Sequence, residues 1–254
     1  MKDHNIYYQN DFDPHHCSRS YRRKIKSPDL LSFQVQEKES DLLIQAPVLL
    51  QEEALDSLRY FRKTLENYIK QNPEFKKTRK PYSPDDFAPP IIKEMIKVSA
   101  LCGVGPMAAV AGCISQYVAE NLLKSTNEII IENGGDIYIK SSQIRTVIIY
   151  AGSSPLSNKI YLKVDSRKKA IGLCTSSGTV GPSFSMGKAD AVTVLSYSAA
   201  LADAAATAIG NTIHTKDDIK KGLKLAQKIA GVIGLVIIKD DHIGIWGEIE
   251  YGLT

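Results

Sequence analysis

No run in this 254-residue chain approaches the roughly 20 consecutive apolar residues that a bilayer-crossing helix needs, so a membrane-spanning helix is excluded. The opening stretch, MKDHNIYYQNDFDPHH, has no apolar core of the secretory-signal kind, and a cytoplasmic location is expected. Excess charge is also scarce: 32 basic against 28 acidic residues leave +4, too little and too scattered for a nucleic-acid footprint. The densest basic runs, Arg22-Arg23-Lys24 and Lys76-Lys77, are short and carry no interleaved aromatics, so they read as solvated surface. Cys17, Cys102, Cys113 and Cys174 include no CxxC pair, which excludes the usual zinc spacings and a disulfide framework. No GK[ST] ending completes a Walker loop, and no internal repeat is visible.

What is present is an average globular composition, 43% hydrophobic and 24% charged, enough for one sizeable core. The length fits one large domain or two small ones, and residues 1–28 read as a polar arm ahead of mixed strands and helices. Leu31-Ser-Phe33-Gln-Val35 alternates as a half-buried strand does, and Asp41 to Ile44 returns as its hairpin partner. From Leu50 to Tyr68, apolar residues at Leu50, Ala54, Leu58, Phe61 and Leu65 mark one face of a helix. Five prolines between Asn72 and Pro90 make that stretch a loop or linker and the best candidate for a domain boundary. A helix over Ile91 to Leu101 is broken by Cys102-Gly-Val-Gly, and Pro106 opens the next in the favoured first position. Ala108, Ala109, Ala111 and Gly112 leave that helix little bulk, so a neighbour can approach closely. Strands follow over 128–132, 136–139, 146–150, 159–164, 170–174 and 191–195, then an alanine-dense helix over 199–209. Thr215 and Asp218 resemble a capping box for a helix ending near Ile229, and 232–238 with 243–251 read as a closing hairpin. Trp246 is read as core.

Three segments can carry chemistry. Glu132-Asn133-Gly134-Gly135-Asp136 reads either as a hairpin turn or as a cradle whose backbone N–H groups meet a ligand, with Asp136 holding a hydroxyl or hydrated cation. Thr175, Ser176, Ser177, Gly178 and Ser183 form a hydroxyl-rich loop after a strand, suited to phosphate or ribose oxygens; the alternative is a plain surface loop. Cys174, at the entry to that loop, is either a partly exposed nucleophilic thiol or an inert buried one. Asp203 and Thr207, four apart, share one helix face as two oxygen donors for Mg²⁺, or as an internal hydrogen-bonded pair. His15, His16 and Cys17 are too close in sequence to close one metal site, and His214 and His242 are read as solvent-facing.

Taken in order, GVGPMAAVAG (103–112), IENGGDIYI (131–139), CTSSGTVGPSFSMGKADAVTV (174–194) and ADAAATAIGN (202–211) resemble the signature blocks of the uncharacterised protein family 280 of the ApbE-like superfamily. The resemblance implies one ApbE-like α/β domain of the α+β type over residues 29–254, an antiparallel sheet with packed helices, in which the proline-rich stretch at 72–90 is an internal loop. ApbE enzymes move FMN from FAD to a protein threonine with Mg²⁺, and their AD-x-x-x-T helix matches Asp203 and Thr207 here. Their GG-D and SG loops match Gly134, Gly135 and Asp136, and Ser177 and Gly178. Their H-x-x-D-P-x-T-G segment has no counterpart: Gly181 to Lys188 holds no histidine, so the transferase motif is incomplete and flavin is put in question. The family branch is further associated with anaerobic incorporation of sulfide into homocysteine. That association makes Asp136 and Cys174 the catalytic candidates and Cys174 a sulfur carrier. Asn133, Gly134, Gly135 and the hydroxyl loop would bind a small anionic substrate. The expectation is thus an enzyme or accessory factor of sulfur assimilation, with an Mg²⁺-dependent flavin-nucleotide enzyme and a non-catalytic binding module as alternatives. Its partners would be the small substrate and a homo-oligomer or a protein of the same pathway, with no nucleic acid and no membrane.

Overall fold

A computed structural model describes residues 27, 29–179 and 185–254. The N-terminal arm apart from Ser27, with His15, His16 and Cys17, lies outside the described residues, as do Gly181 and Ser183 of the hydroxyl loop.

The first hairpin forms as its alternation predicts: β1 (Leu31–Glu37) pairs antiparallel with β2 (Ser40–Ala46). Helix α1 (Gln51–Gln71) buries Ala54, Leu58, Leu65 and Tyr68, the periodic face read from the sequence. The stretch read as a loop contains a short helix, α2 (Pro73–Lys77), which buries Phe75 completely. Phe75 stacks edge-on between Tyr68 and Tyr82, with ring centroids 5.1 and 5.4 Å apart. The proline-rich stretch is therefore tied to the domain by an aromatic anchor and marks no domain boundary.

Helix α3 (Pro90–Cys102) gives way to a 3₁₀ turn (Pro106–Ala109) that leads into α4 (Val110–Leu122). Strands β3 (Ile129–Asn133), β4 (Asp136–Lys140), β5 (Arg145–Ile148), β6 (Ile160–Val164), β7 (Ile171–Ser176) and β8 (Ala191–Ser196) follow. Helix α5 (Ala199–Gly210), helix α6 (Ile219–Ala226) and strands β9 (Val232–Lys239), β10 (His242–Gly247) and β11 (Glu250–Leu253) complete the chain. The Asp218 carboxylate accepts the Thr215 N–H at 2.9 Å, as a capping box requires, ahead of α6. The stretch 243–251, read as one strand, is two: β10 pairs with β9, whereas β11 crosses to β6.

Eight strands make one antiparallel sheet in the order β1-β2-β3-β4-β7-β8-β9-β10, and β11-β6-β5 make a second. The helices pack on one face of the large sheet, while the small sheet covers part of the other. Central strands β8 and β9 are buried on both sides, which is why they read as apolar runs without alternation. The two-residue period still assigns faces. On β7, Leu173 and Ile171 point to the small sheet, whereas Cys174 belongs to the helix-side core. Asp136 pairs with Cys174 across β4 and β7, so its side chain also points toward the helices. The architecture is α+β, as the sequence predicts. No single helix among the described residues is long and apolar enough to cross a membrane.

Candidate functional site

The site begins with a turn. Asn133 and Asp136 face each other at the end of β3 and β4, leaving Gly134 and Gly135 as a two-residue loop. Both glycines sit at positive φ, +68° and +103°, a conformation that L-residues with a Cβ adopt only under strain. The turn is closed from within: the Gly135 N–H donates to Glu132 Oε1 at 2.7 Å, and its carbonyl accepts from the Thr175 N–H at 3.2 Å. The Gly135 amide is thus already engaged within the turn. Asn133 reaches across to α4, donating from Nδ2 to the Ala111 carbonyl at 3.2 Å.

Helix α5 lies over this corner. Its N-cap, Ser198, accepts from the Leu201 N–H, and its alanines let it settle on β7. Gly112 of α4 makes a second close contact: a Cβ there would lie 2.3 Å from the Ala199 carbonyl oxygen and 2.7 Å from Asp203 Cβ. Only a residue without a side chain fits, and the approach carries Asp203 to the first turn of α4. There Asp203 Oδ2 accepts the Gly112 N–H at 2.8 Å. A carboxylate at a helix N-terminus is electrostatically favoured, so part of the reason for Asp203 is structural.

The rest is not explained by capping. Asp203 stands close enough to Asp136 for its carboxylate to oppose the ionisation of Asp136. Burial pushes the Asp203 carboxyl up to about 7, against the pull of the Gly112 and Ala111 amides. Asp136 is raised well above the usual carboxylate range, by burial first and then by Asp203. Hydrogen bonds from the Cys174 thiol and the Thr175 amide, which favour its charged form, do not outweigh these. Two neighbouring carboxyls poorly supplied with water cannot both ionise without cost, and a proton or a cation between them relieves it. Thr207, one turn along α5 from Asp203, is half-buried, and its hydroxyl has no hydrogen-bond partner among the described residues.

The structure therefore brings Asn133, Gly135, Asp136, Asp203 and the Thr175 backbone to one corner. Cys174 is there too, but not at a loop mouth. It is fully buried, its Sγ lies 3.3 Å from the Ala199 carbonyl oxygen, and burial together with Asp136 and Asp203 raises its thiol pKa well above the ordinary value. A nucleophilic sulfur needs access and thiolate character, and this thiol has neither. Of the two readings of Cys174, the buried thiol is the one found.

The hydroxyl loop divides. Thr175 turns its side chain to Thr193 Oγ1, at 2.9 Å, on the sheet face away from Asp136. Ser176 lies against Gly210 at the end of α5. Ser177 braces its own loop, accepting from the Thr179 N–H at 3.1 Å, while the Gly178 N–H donates to the Ala189 carbonyl at 2.9 Å. Gly178 and Gly134 carry no side chain, and Gly134 is exposed at the turn tip.

Sequence reasoning missed the first turn of α4. The Ala111 and Gly112 amides hold Asp203, and no local motif announces a cap supplied from 91 residues away. The Cys102 thiol is only partly buried at the end of α3 and lies within the influence of Asp203.

The donor chemistry fits a hard divalent cation: carboxylate and hydroxyl oxygens, with no histidine. Among the described residues no group of three or more His, Cys, Asp or Glu side chains is arranged to hold a metal. The protein would thus supply one or two carboxylates and leave the remaining positions to water or phosphate, the pattern Mg²⁺ favours. Two surface cavities, of about 450 and 310 Å³, lie away from this corner.

Residues 22–230 match the family described as "AbpE bacteria". A UPF0280 protein of Methanosarcina acetivorans is 37% identical over 238 residues, covering 93% of each chain. Another, from Methanococcus maripaludis, is 46% identical over 193 residues, 74% of this chain and 78% of that one. Among solved structures, the apo flavinyl transferase ApbE of Pseudomonas stutzeri superposes with a TM-score of 0.55 at 13% identity, covering 85% of this chain and 93% of that one. A mutant of the flavin transferase ApbE from Vibrio cholerae gives 0.52 at 14% identity, covering 85% and 96%. At such identities the likeness establishes the fold.

Proposed function

The chain belongs to the UPF0280 family, whose members are ApbE-like, and from that premise we propose that it is a divalent-cation-dependent enzyme acting on a flavin nucleotide. One observation carries the reading: Asp136, buried on the sheet, and Asp203, half-buried on α5, come from opposite layers of the fold, and neither ionises freely. Such an arrangement is costly unless a cation meets it, and Mg²⁺ is the cation its oxygen donors suit. Asp203 and Thr207 would hold the ion from α5, and Asp136 would hold it from the sheet. When bound, the cation would supply charge for pyrophosphate oxygens. Asn133 and Glu132 fix the turn that carries Asp136, and the Gly112 amide fixes the rotamer of Asp203. The absence of histidine between Gly181 and Lys188 favours a reaction on the nucleotide that differs from transfer to a protein threonine.

A place in sulfide assimilation, in the cytoplasm, remains compatible with this chemistry as a pathway context. Its sulfur-carrier form loses support, because Cys174 is sealed in the core. Titration calorimetry of Mg²⁺ into protein with FAD, run near pH 6.5 in two buffers of different ionisation enthalpy, tests the proposal. Binding should release protons, because a cation displaces them from the carboxyl pair. Asp203→Asn should lose both the binding and the release. Equal cation binding by the two proteins would refute the assignment.

A further inference from the structure

Phe87 is 99% exposed, although a phenylalanine in a loop usually finds some cover. The loop holds it there rigidly. Its own N–H donates to Asp85 Oδ1 at 2.9 Å, the Ala88 N–H donates to the Asp85 carbonyl at 3.2 Å, and the Tyr68 hydroxyl donates to Asp85 Oδ2 at 2.8 Å. Ala88 is buried beside it, and Pro89 and Pro90 stiffen the exit into α3. The pinned backbone leaves less chain freedom to be lost when the ring is bound.

Elsewhere on the molecule, where the small sheet stops short of the large one, lies a cavity of about 310 Å³. Ile171, Leu195 and Ile233 give it an apolar floor, and Tyr197, 45% exposed, stands at its wall with the Lys169 ammonium 4.0 Å from the ring centre. Lys168 and Glu248 also line it, and the other rim charges are paired, Lys163 with Glu250 and Asp165 with Arg167. Asp85 and Asp86 immediately precede Phe87, opposite in charge to Lys168 and Lys169.

We propose that Phe87 of one copy of this chain seats in the Ile171–Leu195–Ile233 cavity of a second copy, with Asp86 against Lys168 and Lys169. Knob and hole are different surfaces of one molecule, so two such contacts about a two-fold axis close a dimer, and a repeat that fails to close makes a longer assembly. A buried aromatic anchor with charged flanks is the usual form of an interface hot spot. This inference is independent of the flavin-nucleotide reading, because neither surface includes Asp136 or Asp203.

Sedimentation equilibrium of the full chain over micromolar concentrations tests it, with Phe87→Ala and Lys168→Glu/Lys169→Glu as variants. Wild type should self-associate, and each variant should weaken association about tenfold or more, with unchanged circular dichroism because the altered side chains are exposed. Phe87→p-benzoylphenylalanine, irradiated in a mixture of unlabelled and ¹⁵N-labelled protein, should cross-link to peptides spanning 163–171 or 195–197 of the other copy. A wild type that stays monomeric, association indifferent to Phe87→Ala, or cross-links to other segments would each overturn the proposal.

Discussion

Asp203 has two roles that pull in opposite directions. As a cap for α4 it is favoured in its charged form, yet burial beside Asp136 raises its pKa from an ordinary carboxylate value to about 7. A folded-state pKa above the unfolded one means that the folded protein holds the proton more tightly. Without a cation, stability is therefore highest below the unfolded value near 4, declines as pH rises toward 7, and carries the full cost above it. A shift of that size corresponds to on the order of a few kcal/mol. Asp203→Asn keeps an oxygen for the Gly112 amide and removes the titration. In chelator-treated protein at pH 8 the variant should melt at a higher temperature than wild type, with the gap closing toward pH 5. Millimolar Mg²⁺ should reverse the order at pH 8 by stabilising wild type alone. A melting curve with no pH dependence between 5 and 8 in the chelated wild type would show that the two carboxyls do not share the burden described here.

At the scale of elements, the contact of α4 with α5 decides whether the corner exists. Gly112→Ala would place a methyl group 2.3 Å from the Ala199 carbonyl oxygen, so the helices must separate and the Gly112–Asp203 bond must stretch. Overpacking of this kind costs about 1–3 kcal/mol. The urea midpoint should fall accordingly, and cation affinity should fall with it. A variant with wild-type midpoint and affinity would mean that the helices have slack. This is also where the limits of the sequence become visible. Periodicity marked the buried face of α1, the β1–β2 hairpin and the glycine turn, because each is a local rule about neighbouring residues. The small residues of α4 were legible as an invitation to close packing, but not the partner that accepts it. The choice between the two readings of Cys174 was not legible, because its face depends on which neighbour β7 pairs with. Once Asp136 stands opposite it, both must point to the helices. The break between β10 and β11 escaped notice for the same reason: only the small sheet, assembled from distant strands, gives Glu250–Leu253 a partner.

At the scale of the whole molecule, a polar junction joins the two sheets alongside apolar contact. Arg145, at the start of β5, grips Asp29 with both guanidinium nitrogens at 2.7 Å and donates from Nε to Ser141 Oγ at 2.7 Å. It also pairs with Glu128, which stands just before β3 of the large sheet. Burial works against the charged form of Glu128. Hydrogen bonds from Ser141, Ser142 and Arg145 outweigh it and hold the pKa down to about 2. Because that folded-state value is depressed, the stabilisation from Glu128 is present above about 4.5 and is lost as pH falls toward 2. Removing one partner of a buried pair strands the other charge, so Arg145→Ala should cost about 3–5 kcal/mol in urea unfolding. The double variant Glu128→Gln/Arg145→Met removes both charges and should cost less than Arg145→Ala alone, although it removes more of the network. It should also blunt acid unfolding below pH 4.5, since no depressed carboxylate remains at the junction to be protonated. If the double variant were instead the less stable of the two at pH 7, the hydrogen bonds themselves would hold the sheets together. The ion pair would then be incidental to the joint.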